Sequence, residues 1–219
     1  ASRGTRSETS PLAAIKAPIN PNPPPIAVSK IKPIQDIQAM YNLGQRDFGE
    51  NYVQEIVDKQ SKLPADINWH FIGHLQSNKV KYIAPFIHLI HGVDSYNLLK
   101  EINKQALKNN RIINCLLQVH IAEEETKFGF AIDQIENQLP EFFNLKNVQI
   151  KGLMGMASFS ENIEMVQAEF KSLQLLFDKV SIQQPTFNIL SMGMSGDYKI
   201  AVQEGSNMVR IGSLLFGSR

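Results

Sequence analysis

The sequence predicts an α/β protein that folds as a single (β/α)₈ barrel, the TIM-barrel architecture. Short β-like runs alternate with amphipathic helical segments, and eight such runs match the eight strands of a barrel. The length of 219 residues suits one barrel better than two smaller domains. A doubly wound sheet is the alternative, but no G-x-G-x-x-G motif follows the first predicted strand.

The predicted strands are short runs rich in apolar, β-branched or aromatic residues. They lie at 26–29, 46–50, 68–72, 86–91, 112–121, 148–154, 187–190 and 208–211. The predicted helices lie between these runs. The clearest is 161–180, whose apolar residues recur at spacings of three and four and so form one stripe. The stripe consists of Ile163, Val166, Phe170, Leu173, Phe177 and Val180.

The other helices are predicted from shorter patterns. Pro33 is typical of a first helical position and Gly44 of a helix end. Apolar spacing predicts two further helices, and weaker patterns predict three more. The five lie at 95–110, 131–139, and near 51–61, 76–84 and 197–204.

The chain divides into an N-terminal segment and the barrel. Residues 1–25 are predicted to be irregular, with a Pro-rich linker at 18–25, and residues 26–219 to form the barrel. Residues 1–10 are typical of a processed terminus or an expression remnant, and a short transit peptide is the alternative.

Composition excludes several classes of protein. Apolar residues make up 43% of the chain and charged residues 20%, which excludes disordered, collagenous and coiled-coil proteins. The formal net charge is only +1, so we expect no nucleic-acid partner. The sequence contains no run of 18 apolar residues, so no membrane span is predicted. The single cysteine, Cys115, lies in an apolar run and indicates a buried thiol in a reducing compartment, so we expect a cytoplasmic protein.

Functional residues of a barrel gather where its strands end, and Lys30 follows the first strand. A lysine there points into the barrel mouth, where exclusion of water favours the neutral amine that a Schiff base requires. A solvated lysine that merely follows the strand is the alternative interpretation. Lys32 is the nearby competitor and is expected in the loop.

Polar residues also end the second and third strands. Glu50 and Asn51 are expected at the same barrel face, although Asn51 could instead cap the next helix. His70 alternates with apolar neighbours and is expected to be a core histidine, whereas His74 is expected to be accessible. The histidines show no metal-ligand spacing, so we expect no metal site.

Glycines and serines follow the seventh and eighth strands, at 191–197 and 210–213. Glycine lets backbone N–H groups approach an anion and serine hydroxyls donate to it, so this composition fits a phosphate site as well as it fits ordinary turns. A reactive lysine and a phosphate site in one barrel mouth together suggest pyridoxal 5′-phosphate.

The sequence resembles the pyridoxal phosphate homeostasis proteins, which share the fold of the alanine racemase N-terminal domain. The resemblance covers about residues 26–219 and rests on an ordered set of short motifs. They are A-V-S-K at 27–30, G-E-N-Y-V-Q-E at 49–55, W-H-F-I-G-x-L-Q-x-N-K at 69–79, K-G-L-M at 151–154, L-S-M-G-M-S at 190–195 and V-R-I-G-S-x-x-F-G at 209–217. Residues 1–25 match the family poorly.

The resemblance implies specific cofactor-binding residues. Lys30 would carry the cofactor as a Schiff base, Asn51 would lie close to its ring, and Arg210 would face the pyridine nitrogen. The residues implied around the phosphate are Ser191, Ser195, Gly212 and Ser213, with Met194 nearby. Ser213 stands where the family usually has threonine and keeps the hydroxyl.

The resemblance favours a carrier and buffer of pyridoxal phosphate, a form of vitamin B6, over an enzyme. Its expected partners are the cofactor and apo-enzymes that use it, and the expected state is a monomer or weak dimer. The first alternative is a fold type III amino-acid racemase. Such racemases take a second base from a C-terminal β domain of the partner subunit, and we expect no such domain after residue 217 here. The second alternative is a phosphate-binding barrel enzyme without pyridoxal phosphate.

Overall fold

The computed structural model describes residues 25–124 and 128–217, and eight parallel strands in this part of the chain close into a barrel. Each strand pairs with its two neighbours in chain order, and β1 closes on β8 through the pairs Ile26–Arg210 and Ala27–Ile211. The strands are β1 Ile26–Val28, β2 Asp47–Glu50, β3 Asn68–Phe71, β4 Leu89–Val93, β5 Ile113–Gln118, β6 Val148–Met154, β7 Ile189–Met194 and β8 Met208–Ile211. The predicted (β/α)₈ barrel is therefore confirmed. The segment predicted over 1–25 lies almost entirely outside the described residues.

Each strand is followed by an α-helix. The helices are α1 Ile34–Asn42, α2 Val53–Lys62, α3 Val80–Ile83, α4 Tyr96–Lys108, α5 Ile132–Phe143, α6 Ile163–Ser181, α7 Tyr198–Gln203 and α8 Ser213–Phe216. A short 3₁₀ turn, Ser77–Lys79, precedes α3. No helix in the described residues is both long and apolar enough to cross a membrane.

Side-chain caps begin the two longest helices. The Ser95 hydroxyl accepts a hydrogen bond from the Leu98 N–H at 3.2 Å, and the Asn162 side chain accepts one from the Met165 N–H at 3.2 Å. These bonds satisfy N–H groups that have no partner within a helix. The predicted stripe of α6 is buried at Val166, Phe170, Leu173 and Val180, Phe177 is half-buried, and Ile163, in the first turn, is 62% exposed.

Two apolar clusters fill the molecule. The larger one includes buried residues from all eight helices and packs them against the outer face of the barrel. The smaller one comes from strands alone, which places it inside the barrel. Its buried members are Ile26, Leu89, Leu116, Met154 and Met208. Cys115 is fully buried, and this burial raises the pKa of its thiol far above the ordinary value.

Several predicted boundaries were wrong, among them the end of β5, which lies at Gln118 rather than at 121. Strand β4 begins at Leu89 rather than at 86, because the Arg111 guanidinium donates to the carbonyls of Ala84 and Ile87, which therefore form a turn. Helix α5 extends through Pro140 to Phe143 although the apolar pattern ends at 139. A further difference, at the end of β7, affects the functional site.

Strand β7 runs to Met194, four residues beyond its predicted end at 190. Ser191 pairs with Met154 of β6, and Met194 pairs with Arg210 of β8. This glycine- and serine-containing segment is therefore a strand because neighbours on both sides hydrogen-bond to it, which composition alone does not reveal.

Candidate functional site

A cavity of about 260 Å³ opens at the carboxyl end of the barrel. Its lining includes six of the eight cofactor-binding residues predicted from the sequence: Lys30, Asn51, Met194, Ser195, Arg210 and Gly212. Ser213 lines an adjoining cavity of about 140 Å³, which shares Lys30 and Gly212 with the first. Residues from the ends of β1, β2, β7 and β8 thus meet at one place, because parallel strands bring their carboxyl ends to the same face.

Lys30 lies two residues after β1 and is half-buried. Within the described residues, no ion pair or hydrogen bond engages its Nζ. Two neighbouring lysines differ in this respect. Lys32 donates to the Phe216 carbonyl at 3.1 Å, and Lys59 donates to the Ser29 carbonyl at 2.7 Å as well as to two carboxylates. Lys30 is therefore the amine in this region that is free to react.

The turn that carries Lys30 has a strained backbone. Ile31 has φ of +64°, a left-handed conformation that is uncommon for a β-branched residue. Its N–H donates to the Glu55 carboxylate at 2.5 Å, and the Lys32 N–H donates to the Ser29 carbonyl at 3.0 Å. These two bonds hold the turn in place, which is a common arrangement at functional sites. No sequence pattern indicated it.

The Asn51 side chain is available to a ligand. Its Oδ1 is buried and has no hydrogen-bond partner among the described residues. Asn51 does not cap α2, since Tyr52 precedes that helix and no side-chain cap is present. A buried amide without a partner is unfavourable unless a ligand or water completes its hydrogen bonds.

Glu50 does not face the cavity, contrary to the prediction. It is fully buried, accepts hydrogen bonds from the Ser29 hydroxyl at 2.6 Å and the Lys59 amine at 2.7 Å, and so packs toward α2. Burial raises the pKa of its carboxyl, against the opposing effects of Lys59 and Ser29. The Glu50 side chain therefore supports the turn that follows β1.

Arg210 lies in the lining of the cavity and is 4% exposed. Its guanidinium donates to the Ser191 carbonyl at 3.0 Å, to the Ser191 hydroxyl at 2.7 Å and to the Gly155 carbonyl at 3.1 Å. Burial lowers the pKa of this guanidinium to about 10, which leaves it charged at neutral pH. The cavity therefore has a fixed, buried cation in its wall.

Ser191 lies inside β7 rather than after it, so its predicted position was wrong. It is fully buried, lines neither cavity, and contacts Arg210 and the ring of His91 instead. His70 is buried, as predicted, and hydrogen-bonds to Asp47 and His91. The sequence analysis missed His91 and Asp47, although the alternation Leu89-x-His91 could have placed His91 beside Leu89 in the barrel interior.

The loops after β7 and β8 meet beside the cavity and present unengaged backbone N–H groups. The Gly212 N–H donates to the Ser195 hydroxyl at 3.2 Å, which joins the two loops. In the described residues, no acceptor engages the backbone N–H groups of Ser195, Gly196, Ser213 or Leu214. A Cβ at Gly196 would meet no atom within 4 Å, so the protein leaves space there. Free N–H groups beside open space suit a phosphate.

A larger cavity of about 500 Å³ lies beside the first and shares Asn51 with it. Tyr52 and His74, whose phenol and imidazole could act as bases, line this larger cavity and are not in the lining of the first. The His74 ring stacks on Phe128 at 3.9 Å and its Nδ1 hydrogen-bonds to Asp94 at 3.0 Å. Its accessibility, 44% for the side chain, agrees with the prediction.

Comparison with known proteins shows the family. Residues 12–219 match the family model described as alanine racemase, N-terminal domain. The pyridoxal phosphate homeostasis protein of Aquifex aeolicus is 42% identical over 199 residues, which cover 89% of this chain and 86% of that protein.

Solved structures agree with this relationship. PipY of Synechococcus elongatus, solved with pyridoxal phosphate bound, is 36% identical with a TM-score of 0.86, over 94% of this chain and 98% of PipY. An alanine racemase of Clostridium difficile is 13% identical with a TM-score of 0.77, over 95% of this chain and 56% of the racemase, and shows the fold alone. The chain belongs to the alanine racemase N-terminal domain family and, within it, to the pyridoxal phosphate homeostasis proteins.

Proposed function

We propose that this chain binds pyridoxal 5′-phosphate reversibly through Lys30 and acts as a carrier and buffer in cofactor homeostasis. One observation carries the proposal: a free lysine amine, a buried cation and an anion-binding pair of loops surround one small cavity. These groups match the aldehyde, the pyridine nitrogen and the phosphate of the cofactor. The relative PipY, solved with the cofactor bound, supports the same assignment.

Lys30 would hold the aldehyde end. Its amine would form a C=N bond with the aldehyde carbon with loss of the carbonyl oxygen as water, so the attachment would be reversible by hydrolysis. The side-chain amide of Asn51 would hydrogen-bond to a ring substituent, which satisfies the unpaired Oδ1 or, with the amide turned over, uses its NH₂ group. Met194, 39% exposed, would cover part of the ring.

The phosphate would lie between the loops after β7 and β8. The hydroxyls of Ser195 and Ser213 and the free N–H groups of Gly196 and Leu214 would donate to it. Bonds to a charged acceptor are stronger than bonds between neutral groups, so this end supplies much of the affinity.

Arg210 favours binding over catalysis. Pyridoxal phosphate supplies an electron sink for carbanions when its ring nitrogen is protonated. A guanidinium only donates hydrogen bonds, so Arg210 would keep that nitrogen unprotonated and weaken the sink. Decarboxylation and transamination are therefore disfavoured.

The cavity also lacks a second base. Among the described residues that line it, no carboxylate, imidazole or phenol accompanies Lys30 and Arg210. Racemisation requires proton transfer on both faces of the cofactor, and a positioned acid or base contributes about 10²–10⁴-fold to a rate. We propose that the protein has no robust catalytic activity.

The same proposal extends to its cellular setting. We propose that apo-enzymes dependent on pyridoxal phosphate receive the cofactor from this chain, which acts as a monomer or weak dimer. The single buried Cys115 suits a reducing compartment, and we propose the cytoplasm.

Ser195→Ala and Ser213→Ala are each expected to weaken the binding of pyridoxal phosphate by about 1–2 kcal/mol, the usual loss for a hydrogen bond to a charged group. Absorbance or fluorescence titration of the purified variants gives the dissociation constants. Ser160→Ala, outside both cofactor cavities, is the control and should bind normally.

Titration with pyridoxal, which lacks the phosphate, shows whether these serines act through the phosphate. Pyridoxal should bind far more weakly than pyridoxal phosphate, and the two serine variants should not weaken it further. Equal affinity for the two forms would refute a phosphate site in these loops.

No turnover above about 10⁻² s⁻¹ is expected with alanine, serine or other common amino acids, against roughly 1–10³ s⁻¹ for ordinary enzymes. The protein loaded with pyridoxal phosphate is incubated with each amino acid, and chiral chromatography follows the D and L forms, with Lys30→Ala as the blank. Lys30-dependent turnover above this limit would contradict the carrier function and support an amino-acid racemase instead.

A further inference from the structure

A continuous chain of hydrogen bonds crosses the barrel interior and ends at Arg210. All its side chains are at least four-fifths buried. The links are Asp47 Oδ1 to His70 Nε2 at 3.0 Å, His70 Nδ1 to His91 Nε2 at 3.0 Å, His91 Nδ1 to Ser191 Oγ at 3.1 Å, and Ser191 Oγ to the Arg210 guanidinium at 2.7 Å. Asp47 begins β2 at the opposite end of the barrel from the cavity, so the chain connects the two ends.

The direction of every bond follows from its two ends. The Arg210 guanidinium can only donate, so the Ser191 oxygen accepts from it. The ionised Asp47 can only accept, so His70 Nε2 must carry a proton. With both rings neutral, His70 Nδ1 then accepts from the His91 Nε2–H, and His91 Nδ1 accepts from the Ser191 hydroxyl.

The opposite direction leaves an unfavourable contact. If His91 Nδ1–H donated to Ser191, the neutral His70 ring would present a bare nitrogen to the Asp47 carboxylate. Two acceptors would then face each other at 3.0 Å. For the neutral form of both rings, every bond therefore points toward Asp47, and both histidines carry their proton on Nε2.

The surroundings keep His91 neutral. Burial lowers the pKa of His91 well below its ordinary value, and the neighbouring Arg210 guanidinium lowers it further. His88, whose ring centroid lies 5.2 Å from that of His70, and the nearby Arg111 add no negative charge. Asp47 is the one carboxylate within the chain of bonds, and it fixes the direction of the chain.

We propose that Asp47, His70, His91 and Ser191 are positioning residues that hold the Arg210 guanidinium in one orientation beside the cofactor cavity. The Ser191 hydroxyl, committed to His91, presents its oxygen to Arg210 and cannot rotate away. A fixed guanidinium meets the ring nitrogen at one angle, whereas a free one would sample several. This inference rests on the proposed function for its effect on binding, but the bond directions do not depend on it.

The first test measures the proton positions of the two imidazole rings in the whole protein without cofactor. Heteronuclear NMR of the imidazole nitrogens, assigned with His70→Gln and His91→Gln, should show the Nε2–H form for both rings. Asp47→Ala removes the terminal acceptor and should shift the nitrogen signals of His91, two links away. His88→Gln, at the same end of the barrel but outside the chain of bonds, should leave them unchanged. An Nδ1–H form of His91, or equal spectra for Asp47→Ala and His88→Gln, would overturn the proposal.

The second test measures cofactor binding. Asp47→Ala should weaken the binding of pyridoxal phosphate about fivefold, which corresponds to the loss of one ordinary hydrogen bond. This effect is expected although Asp47 lines neither cofactor cavity. Ser191→Ala, which removes one hydroxyl, should have a similar effect. It replaces Asp47→Ala in this test if that variant fails to fold. Unchanged affinity in Ser191→Ala would refute the positioning role. Absence of binding in the unaltered protein would instead refute the proposed function and leave the NMR result standing.

Discussion

Lys30→Ala is expected to abolish the visible absorbance band that the protein acquires with pyridoxal phosphate. The band arises from a C=N bond to an amine, and Lys30 is the unengaged lysine in the lining of the cavity. Lys32→Ala is the matched control, because Lys32 lies two residues away and its Nζ donates to the Phe216 carbonyl. The control should retain the band.

Borohydride reduction identifies the lysine directly. It converts the reversible C=N bond into a stable amine, and mass spectrometry of the digested protein should place the adduct on the peptide that contains Lys30. An adduct on Lys32 or Lys79 would contradict the assignment. Circular dichroism of Lys30→Ala should match the unaltered protein, since Lys30 lies outside the apolar clusters.

Lys59→Met is expected to lower the free energy of unfolding by about 3–5 kcal/mol, because it leaves the buried Glu50 carboxylate without its partner. The side chains of Lys59 and Glu50 are 6% and 0% exposed. Lys59 also pairs with Glu55, whose carboxylate accepts from the strained Ile31. The substitution should therefore also loosen the turn that carries Lys30.

Denaturant unfolding of two further variants makes this measurement specific. Lys62→Ala removes an exposed pair with Asp58 on the same helix and should change stability by no more than about 0.5 kcal/mol. The double variant Lys59→Met with Glu50→Gln removes both charges and should recover much of the loss. An equal, small effect of Lys59→Met and Lys62→Ala would contradict a buried ion pair.

The sequence determined the barrel and most of the site. Alternating strands and helices fix a barrel because each pattern is local, with apolar spacings that depend only on nearby residues. The barrel rule then placed Lys30, Asn51, Gly212 and Ser213 at one face without any contact being known, because all parallel strands end there. The structure brings these residues to the two adjoining cavities.

Interactions between residues distant in sequence decided the rest. Whether 191–194 is a loop or a strand depends on pairing with β6 and β8, and whether Glu50 faces the cavity or α2 depends on Lys59. The chain of bonds from Asp47 to Arg210 joins five strands, and its longest step, His91 to Ser191, spans 100 residues. No local spacing encodes such contacts, because they form only when the closed barrel brings the interior faces of its strands together.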